Sequence, residues 1–537
     1  MVRKAILAAV AGMLWVQPCL GQSSNEQFGE VHFPISCSPA AQPEFERAVA
    51  MLHSFFFPET VKAFTAIAKA EPSCAMAYWG VAISQRPNPL VAPFPPEMMR
   101  KGWEAIEAGR ASGAKTQRER EWIEALAVFF KDYEKVDIRT RTLAYESAMA
   151  QLSARYPDDD EAAIFYALAL NEAVDLNDKT FAKQFKAASI LQGLEARHPN
   201  HPGIPHYIIH SYDFAAICQQ GLPAARRYAD LAPSAPHALH MPSHTFSMLG
   251  LWEESIAANW KTIAAGKEYA ARNNLDGIYP SDPHSYDFIQ YAYLQLGQDG
   301  KAKSLMEEVA AIRKVFSPRL ASDTALAAVP ARYMLERQDW RGASGLLVPA
   351  TLNAAPAKAI IHFARAIGAA RSGDYGAAQI DIEKLKELSA ELAKTSQPYW
   401  AGQVDVQILA AQAWLTAGRG NKAGAVTLMR AAADLEDKSE KHVAMENRLY
   451  PMRELLADLL LAQGESAAAL TEYEISMKSA PERLRVFYGA AKAADALGDK
   501  ETAARYFQKL TRLTRNADSD RPEIREAKQF AAARWLE

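Results

Sequence analysis

The chain has 537 residues, 49% of them apolar, with 60 Lys and Arg against 63 Asp and Glu, a formal charge of -3 and a pI near 6.5. Its basic residues are spread along the sequence and form no stripe of the kind a phosphate backbone needs, which argues against nucleic acid as a partner. Abundant alanine and punctuation that returns every thirty-four residues (Gly464 to Gly498) point to one elongated array of helical repeats.

Met1-Val2-Arg3-Lys4, an apolar run from Ala5 to Val16 and Cys19-Leu20-Gly21 read as a secretory signal peptide, residues 1–21, cut after Gly21. Gln17-Pro18 before Cys19 lacks the small residue of a lipoprotein signal. The expectation is an exported protein, periplasmic or secreted, and no other apolar run approaches the ~20 residues of a membrane span. Residues 22–40 form an N-terminal extension. In an oxidising compartment Cys37 and Cys74 are expected to pair and staple the first helices, leaving Cys218 as a buried structural thiol.

Residues 41–200 read as N-terminal helical repeats, punctuated by Phe57, Phe64 and Pro72. A Pro-rich insertion from Arg86 to Pro96 and a lengthened turn from Asn171 to Lys186 interrupt them. Arg118-Glu119-Arg120-Glu121 reads as a solvated helix face, and Asp158-Asp159-Asp160 as a helix start, where carboxylates favour the dipole. Residues 201–320 form a His-rich stretch of repeats, and residues 321–537 the cleanest units.

In that last stretch Gly464 recurs at Gly498, Ala469 at Ala503 and Tyr473 at Phe507. This spacing resembles the tetratricopeptide repeat. The resemblance implies an all-α fold, a right-handed α-solenoid or superhelix of helix-turn-helix pairs whose first helices line a concave surface. No segment alternates as a strand does. The likeness bears on fold and is silent on function.

Eight of the twelve histidines lie between His198 and His284, and His206 and His210 recur thirty-four residues later as His240 and His244. A repeat sets equivalent residues side by side, so these imidazoles converge on one surface. At about 100° per residue, His237, His240 and His244 share a sector of roughly 60°, and His206 and His210 lie one turn apart. Phasing the third unit by Gly297 sets His284 level with His237 and Asp287 level with His240. The expected rows are His206, His240 and Asp287 in one, and His210 and His244 in the other.

Imidazoles one turn apart, with others from a neighbouring helix and a carboxylate from a third, suit Zn, Cu or Fe. The candidate metal ligands are therefore His206, His210, His237, His240, His244, His284 and Asp287. Pro242 is expected to bend the middle helix or to start it afresh, with His237 and His240 in the preceding turn. Met241 and Met248 read as core. His198 and His201 read as solvated turn residues and His53 as the end of a distant first helix, while His32, His362 and His442 have no evident partner. The polar string from His442 to Glu454 reads as an exposed stretch leading into the last repeats.

The sequence has no His-Glu-x-x-His, Gly-x-Ser-x-Gly, Walker loop, dinucleotide fingerprint or Cys-x-x-Cys-His. The competing class is a scaffold whose groove takes a small ligand, an extended peptide or a partner protein, with histidines as pH-sensitive contacts and neither metal nor catalysis. A third is an enzyme using one histidine as general base without metal. The strings Leu52-His53-Ser54-Phe55, Cys74-Ala75-Met76-Ala77-Tyr78-Trp79-Gly80 and Pro236 to His244 resemble a group of large exported bacterial tetratricopeptide proteins. That resemblance implies fold and export and carries no activity.

Overall fold

The computed structural model describes residues 26–395, 398–446 and 448–534, with side chains to residue 531. The expected signal peptide lies outside the described residues. Helices follow one another from Ala41–His53 to Pro522–Arg534; among the described residues there is no strand, only an isolated bridge between Ile278 and Val315. The chain is an all-α solenoid of tetratricopeptide-like helix pairs.

The local logic is clearest in the C-terminal pairs. Gly373, at φ +91°, closes the helix Ala355–Ser372 in a left-handed conformation that costs glycine little. Asp374 then caps Tyr375–Leu392, its carboxylate accepting the N–H of Ala377 at 2.9 Å. Asp499, following Gly498, repeats the device by accepting the N–H of Thr502 at 3.0 Å. Between the helices Ser466–Ser479 and Leu484–Ala496, Tyr473 packs so close that a Cβ on Gly489 would lie 2.2 Å from its ring. Ala469, Tyr473, Ala503 and Phe507 are all buried, as the repeat spacing requires.

The array is not elongated as expected. It coils until distant units touch: Trp252 donates to the carbonyl of Glu482 at 2.9 Å, Arg483 to the hydroxyl of Tyr291 at 2.6 Å, and the N–H of Glu440 to the carbonyl of Leu176 at 2.8 Å. The lengthened turn from Asn171 to Lys186 supplies that last acceptor and so ties the N-terminal repeats to the segment before the final ones. Arginines fill the interior in ion pairs, Arg483 with Glu454 at 2.6 Å and Arg485 with Asp458 at 3.2 Å. Removing one partner from such a pair leaves a buried charge uncompensated.

The N-terminal extension is part of the core. Phe33 is fully buried against Phe45, Trp79 and Trp122, and the N–H of Glu30 donates to the carbonyl of Asn200 at 3.0 Å. A disulfide joins Cys37 to Cys74, with the Cα atoms 5.2 Å apart, and Cys218 is a buried free thiol. One apolar core runs from Phe28 to Tyr279 and another from Ala327 to Ala527. No described helix is long and apolar enough to cross a membrane.

Two further sequence expectations need correction. Glu119, read as solvated, is buried and accepts the N–H of Ser36 at 2.6 Å, while its neighbour Arg118 pairs with Asp159 at 2.6 Å. The string from His442 to Glu454 is not an exposed helix start: Glu446, Tyr450 and Glu454 are buried, and the helix begins only at Met452. Both errors come from reading charge as exposure where the coil brings partners from distant units.

Candidate metal centre

The helix Gly203–Ser211 carries His206 and His210 one turn apart, on one face. The next unit is split: Pro236–His240 ends, Met241 intervenes, and Pro242–Met248 begins with the proline whose missing N–H suits a first turn. His237 and His240 stand about 60° apart around the first of these short helices. His237 meets the preceding unit and His240 the following one. The third contributor, Asp282–Gln295, brings His284 in its first turn.

The rows expected from the repeat phase do not form. Instead the six histidines make two trios, His206 with His210 and His237, and His240 with His244 and His284, in each of which one nitrogen per ring lies within 4.8 Å of the others. In the first, Nε2 of His206 is 3.1 Å from Nε2 of His210 and 3.2 Å from Nε2 of His237. In the second, the Nε2 atoms of His240 and His244 are 3.1 Å apart. Two nitrogens bound at about 2.0–2.1 Å to one tetrahedral ion stand about 3.3 Å apart, so the spacing is that of ligands sharing an ion.

Outer partners fix the tautomers. Nδ1–H of His206 donates to the carbonyl of His53 at 2.5 Å, that of His240 to Oδ1 of Asn259 at 2.7 Å, and that of His244 to the Asp213 carboxylate at 3.0 Å. Each ring therefore points a lone pair inward from Nε2, the orientation outer hydrogen bonds impose on metal-binding histidines. Burial holds all six imidazoles below their ordinary pKa, with His240 brought down to about 4. They stand neutral at pH 7. Nδ1 of His210 and of His284 is buried without a hydrogen-bond partner, which costs about 1–3 kcal/mol apiece.

The two trios adjoin, with ring centroids of His210 and His244 6.4 Å apart and those of His237 and His240 6.2 Å apart. Each has its own aromatic wall. Phe55 packs on His206, His210 and His237, and Phe288 on His240, His244 and His284. Phe55 takes φ +50°, a costly conformation for a bulky residue, and so turns its ring onto the first trio.

Asp287 does not join either trio. Its carboxylate takes a forked contact from Arg332, at 3.2 Å and 3.3 Å from Nη2, because the coil brings that arginine opposite it. The acid nearest the centre is instead Asp213, which the sequence reading passed over; it also receives Lys441 at 3.3 Å from the segment read as exposed.

A third cluster, His53, Glu161 and His201, lies behind the first trio. His53 donates from Nε2 to Glu161 at 3.0 Å and accepts from the hydroxyl of Tyr207 at 2.9 Å; His201 donates to Glu161 at 2.8 Å and accepts the N–H of Gly203 at 3.1 Å. Against the burial that would raise it, His201 and His53 hold the Glu161 carboxyl well below its ordinary range. Every ring nitrogen here is engaged, so the cluster serves as a brace that positions the carbonyl of His53 under His206. His201 is thus no solvated turn residue and His53 is not distant. His198, bonded to Asp160 at 2.5 Å, stays partly exposed.

Five of the six histidines line a cavity of about 590 Å³; His206 lies behind them. Phe57, Val91, Phe94 and Met98 contribute apolar walls, so the Pro-rich insertion from Arg86 to Pro96 shapes this chamber. Volumes of this order hold small organic ligands. His362 pairs with Asp381 at 2.7 Å, His32 with Glu46 at 3.3 Å, and His442 packs on Trp400, all outside the two trios.

Fold and site define a helical-repeat protein with clustered imidazoles facing an internal chamber. No protein-family model matches the chain, and no curated protein matches it. Among solved structures it is similar to the human IFIT1 dimer with m7Gppp-AAAA, at 9% identity over 82% of this chain and 90% of that chain, with a TM-score of 0.36. The IFIT1 dimer with PPP-AAAA gives 10%, the same coverage of 82% and 90%, and a TM-score of 0.38. Naa15/Naa10 bound to HypK-THB gives 10% over 92% and 91%, with a TM-score of 0.25.

Proposed function

We propose that this protein holds two transition-metal ions, one in each histidine trio, and presents them to a small ligand in the adjoining cavity for metal-dependent chemistry. The observation that carries this is the meeting of two lone pairs between His240 and His244 at 3.1 Å, with both Nδ1–H groups already donated elsewhere. A neutral pair in that arrangement repels; a cation between them binds both.

The ligand chemistry favours copper, and monovalent copper first. All six ligands are uncharged, and neither trio contains a carboxylate or thiolate. Paired iron sites built between helices draw on several carboxylates. The acid that contacts a trio, Asp213, is balanced by Lys441, so it does little to offset the charge of divalent ions. Two monovalent ions bring half the charge of two divalent ones into a buried site, and the burial cost rises steeply with charge. Copper so held supplies one-electron chemistry at each ion; the protein fixes ring orientation, excludes water and shapes the chamber. The disulfide and the N-terminal sequence support export to an oxidising compartment.

The test is an anaerobic titration of untagged apoprotein with Cu(I) against a colorimetric chelator, with Zn(II) in parallel. Two equivalents of copper are expected, and about one in each of the double variants His206→Ala/His210→Ala and His240→Ala/His244→Ala. Zinc uptake at both sites without copper would overturn the copper assignment, and uptake of neither ion the metal centre itself.

A further inference from the structure

The cavity wall contains one cation that the ion-pair network does not use. Buried Arg86, Arg332, Arg483, Arg485 and Arg521 each face a carboxylate. Arg319 faces the chamber instead, and no described carboxylate pairs with it. The nearest acid along the chain, Asp323, lies one turn further on the helix Leu320–Glu336 and is turned away, accepting the N–H groups of Asn353 and Ala354 at 3.1 Å each.

The position of Arg319 is built. Its N–H donates to the hydroxyl of Ser322 at 2.7 Å, and its carbonyl accepts from the same hydroxyl at 2.7 Å, which pins the backbone at the start of the helix. The residue stays half-buried while its charged end sits inside the protein, where burial draws its pKa below the ordinary guanidinium value. It lines the same cavity as His237 and His210 of the first trio. An unpaired guanidinium in such a place is costly unless an anion completes it. Around it Phe57, Val91, Phe94, Met98 and Leu392 give the chamber apolar walls, and the two acids of the lining are Asp323 and the exposed Glu391.

We propose that the cavity binds an amphipathic carboxylate, its head on the guanidinium of Arg319 in a forked contact and its hydrocarbon body against Phe57, Val91, Phe94 and Met98, beside the two histidine trios. Guanidinium and carboxylate match in planar geometry, which a lysine would not reproduce. A larger polyanion does not suit the site, since Arg319 is the one unpaired cation among the described lining residues. This names the ligand class of the proposed metal centre and rests on that reading only for its consequence; the anion site itself stands on Arg319 and the chamber.

Calorimetric titration with decanoate, on apoprotein and on Cu(I)-loaded protein, tests it, with butyrate and 1-decanol as controls for the body and the head. The expected result is saturable binding of one decanoate, at least about 10-fold weaker binding of either control, and a loss of about 10- to 100-fold in Arg319→Gln. Val91→Trp, which fills the chamber without touching the cation, is expected to abolish binding; thermal melts confirm that both variants fold. No decanoate binding by the wild type, equal binding of 1-decanol, or unchanged binding by folded Arg319→Gln would each overturn the proposal. Copper uptake without decanoate binding contradicts this proposal alone, whereas decanoate binding without copper uptake contradicts the metal centre alone.

Discussion

His240 and His244 face each other through Nε2 atoms 3.1 Å apart, and each has given its Nδ1 hydrogen to an outer acceptor, Asn259 and Asp213 respectively. Both groups would gain by a shared cation, and the outer acceptors set the strength of that gain. Asp213→Asn removes the charge behind His244 while keeping an acceptor. It is expected to weaken one of the two metal equivalents about 10-fold and to leave the other unchanged, as read by competitive titration. Equal weakening of both would show that Asp213 acts on the whole fold.

Asp287 separates a ligand from a structural ion. Its carboxylate neutralises Arg332, which is fully buried and has Glu446 only at 3.8 Å. Asp287→Asn is therefore expected to cost on the order of 3 kcal/mol of stability, measured by denaturant unfolding, while the protein still takes up two metal equivalents. Loss of one equivalent with little change in stability would return Asp287 to the ligand set.

Gly203 tests the brace. A Cβ there would lie 2.6 Å from Nδ1 of His53 and 3.0 Å from Cε1 of His201, rings that are both held on Glu161. Gly203→Ala is expected to destabilise the protein by about 1–3 kcal/mol and to weaken the first trio selectively, through the carbonyl of His53. Melting temperature and copper titration read the two effects.

The histidines also fix a pH dependence. His240 has its folded pKa brought down to about 4 by burial, below the 6.5 of an exposed imidazole. The folded state thus prefers the neutral ring, so its contribution is fully present above pH 6.5 and is lost as pH falls through 4, where the unfolded chain has bound the proton first. The apoprotein's melting temperature should fall steadily from pH 6.5 to 4, and the copper-loaded protein's fall should begin at lower pH, because ion and proton compete for the same lone pairs. Coincident profiles would mean the imidazoles hold no ion.

The covalent link offers an independent check on export. Opening the bridge by Cys37→Ser/Cys74→Ser is expected to cost about 2–5 kcal/mol in urea unfolding and to leave copper stoichiometry intact. Free thiols at both positions in protein recovered from its native compartment would contradict an oxidising environment.

Much of this molecule was legible in its sequence because the relevant rules are local. Gly464 and Gly498, Ala469 and Ala503, Tyr473 and Phe507 mark helix ends and close packing without reference to anything distant. The recurrence of His206 and His210 at His240 and His244 marked the histidine cluster for the same reason. What the sequence hid depends on the coil. Asp287 meets Arg332, Lys441 meets Asp213 and His53 meets His206 because the array curls back, and no periodicity encodes that curvature. The division into trios follows from Met241, where the helix breaks, and from His237 and His240 facing opposite neighbours. Arg319 carried no signal at all: an unpaired cation is recognisable only once every nearby acid has been placed.

The most direct measurement is an anomalous difference map at the copper edge from crystals of the loaded protein. Two peaks are expected, one among His206, His210 and His237 and one among His240, His244 and His284, with Asp287 still on Arg332. A map with no peak within bonding distance of these imidazoles, from protein that crystallises with copper present, would contradict the dinuclear centre.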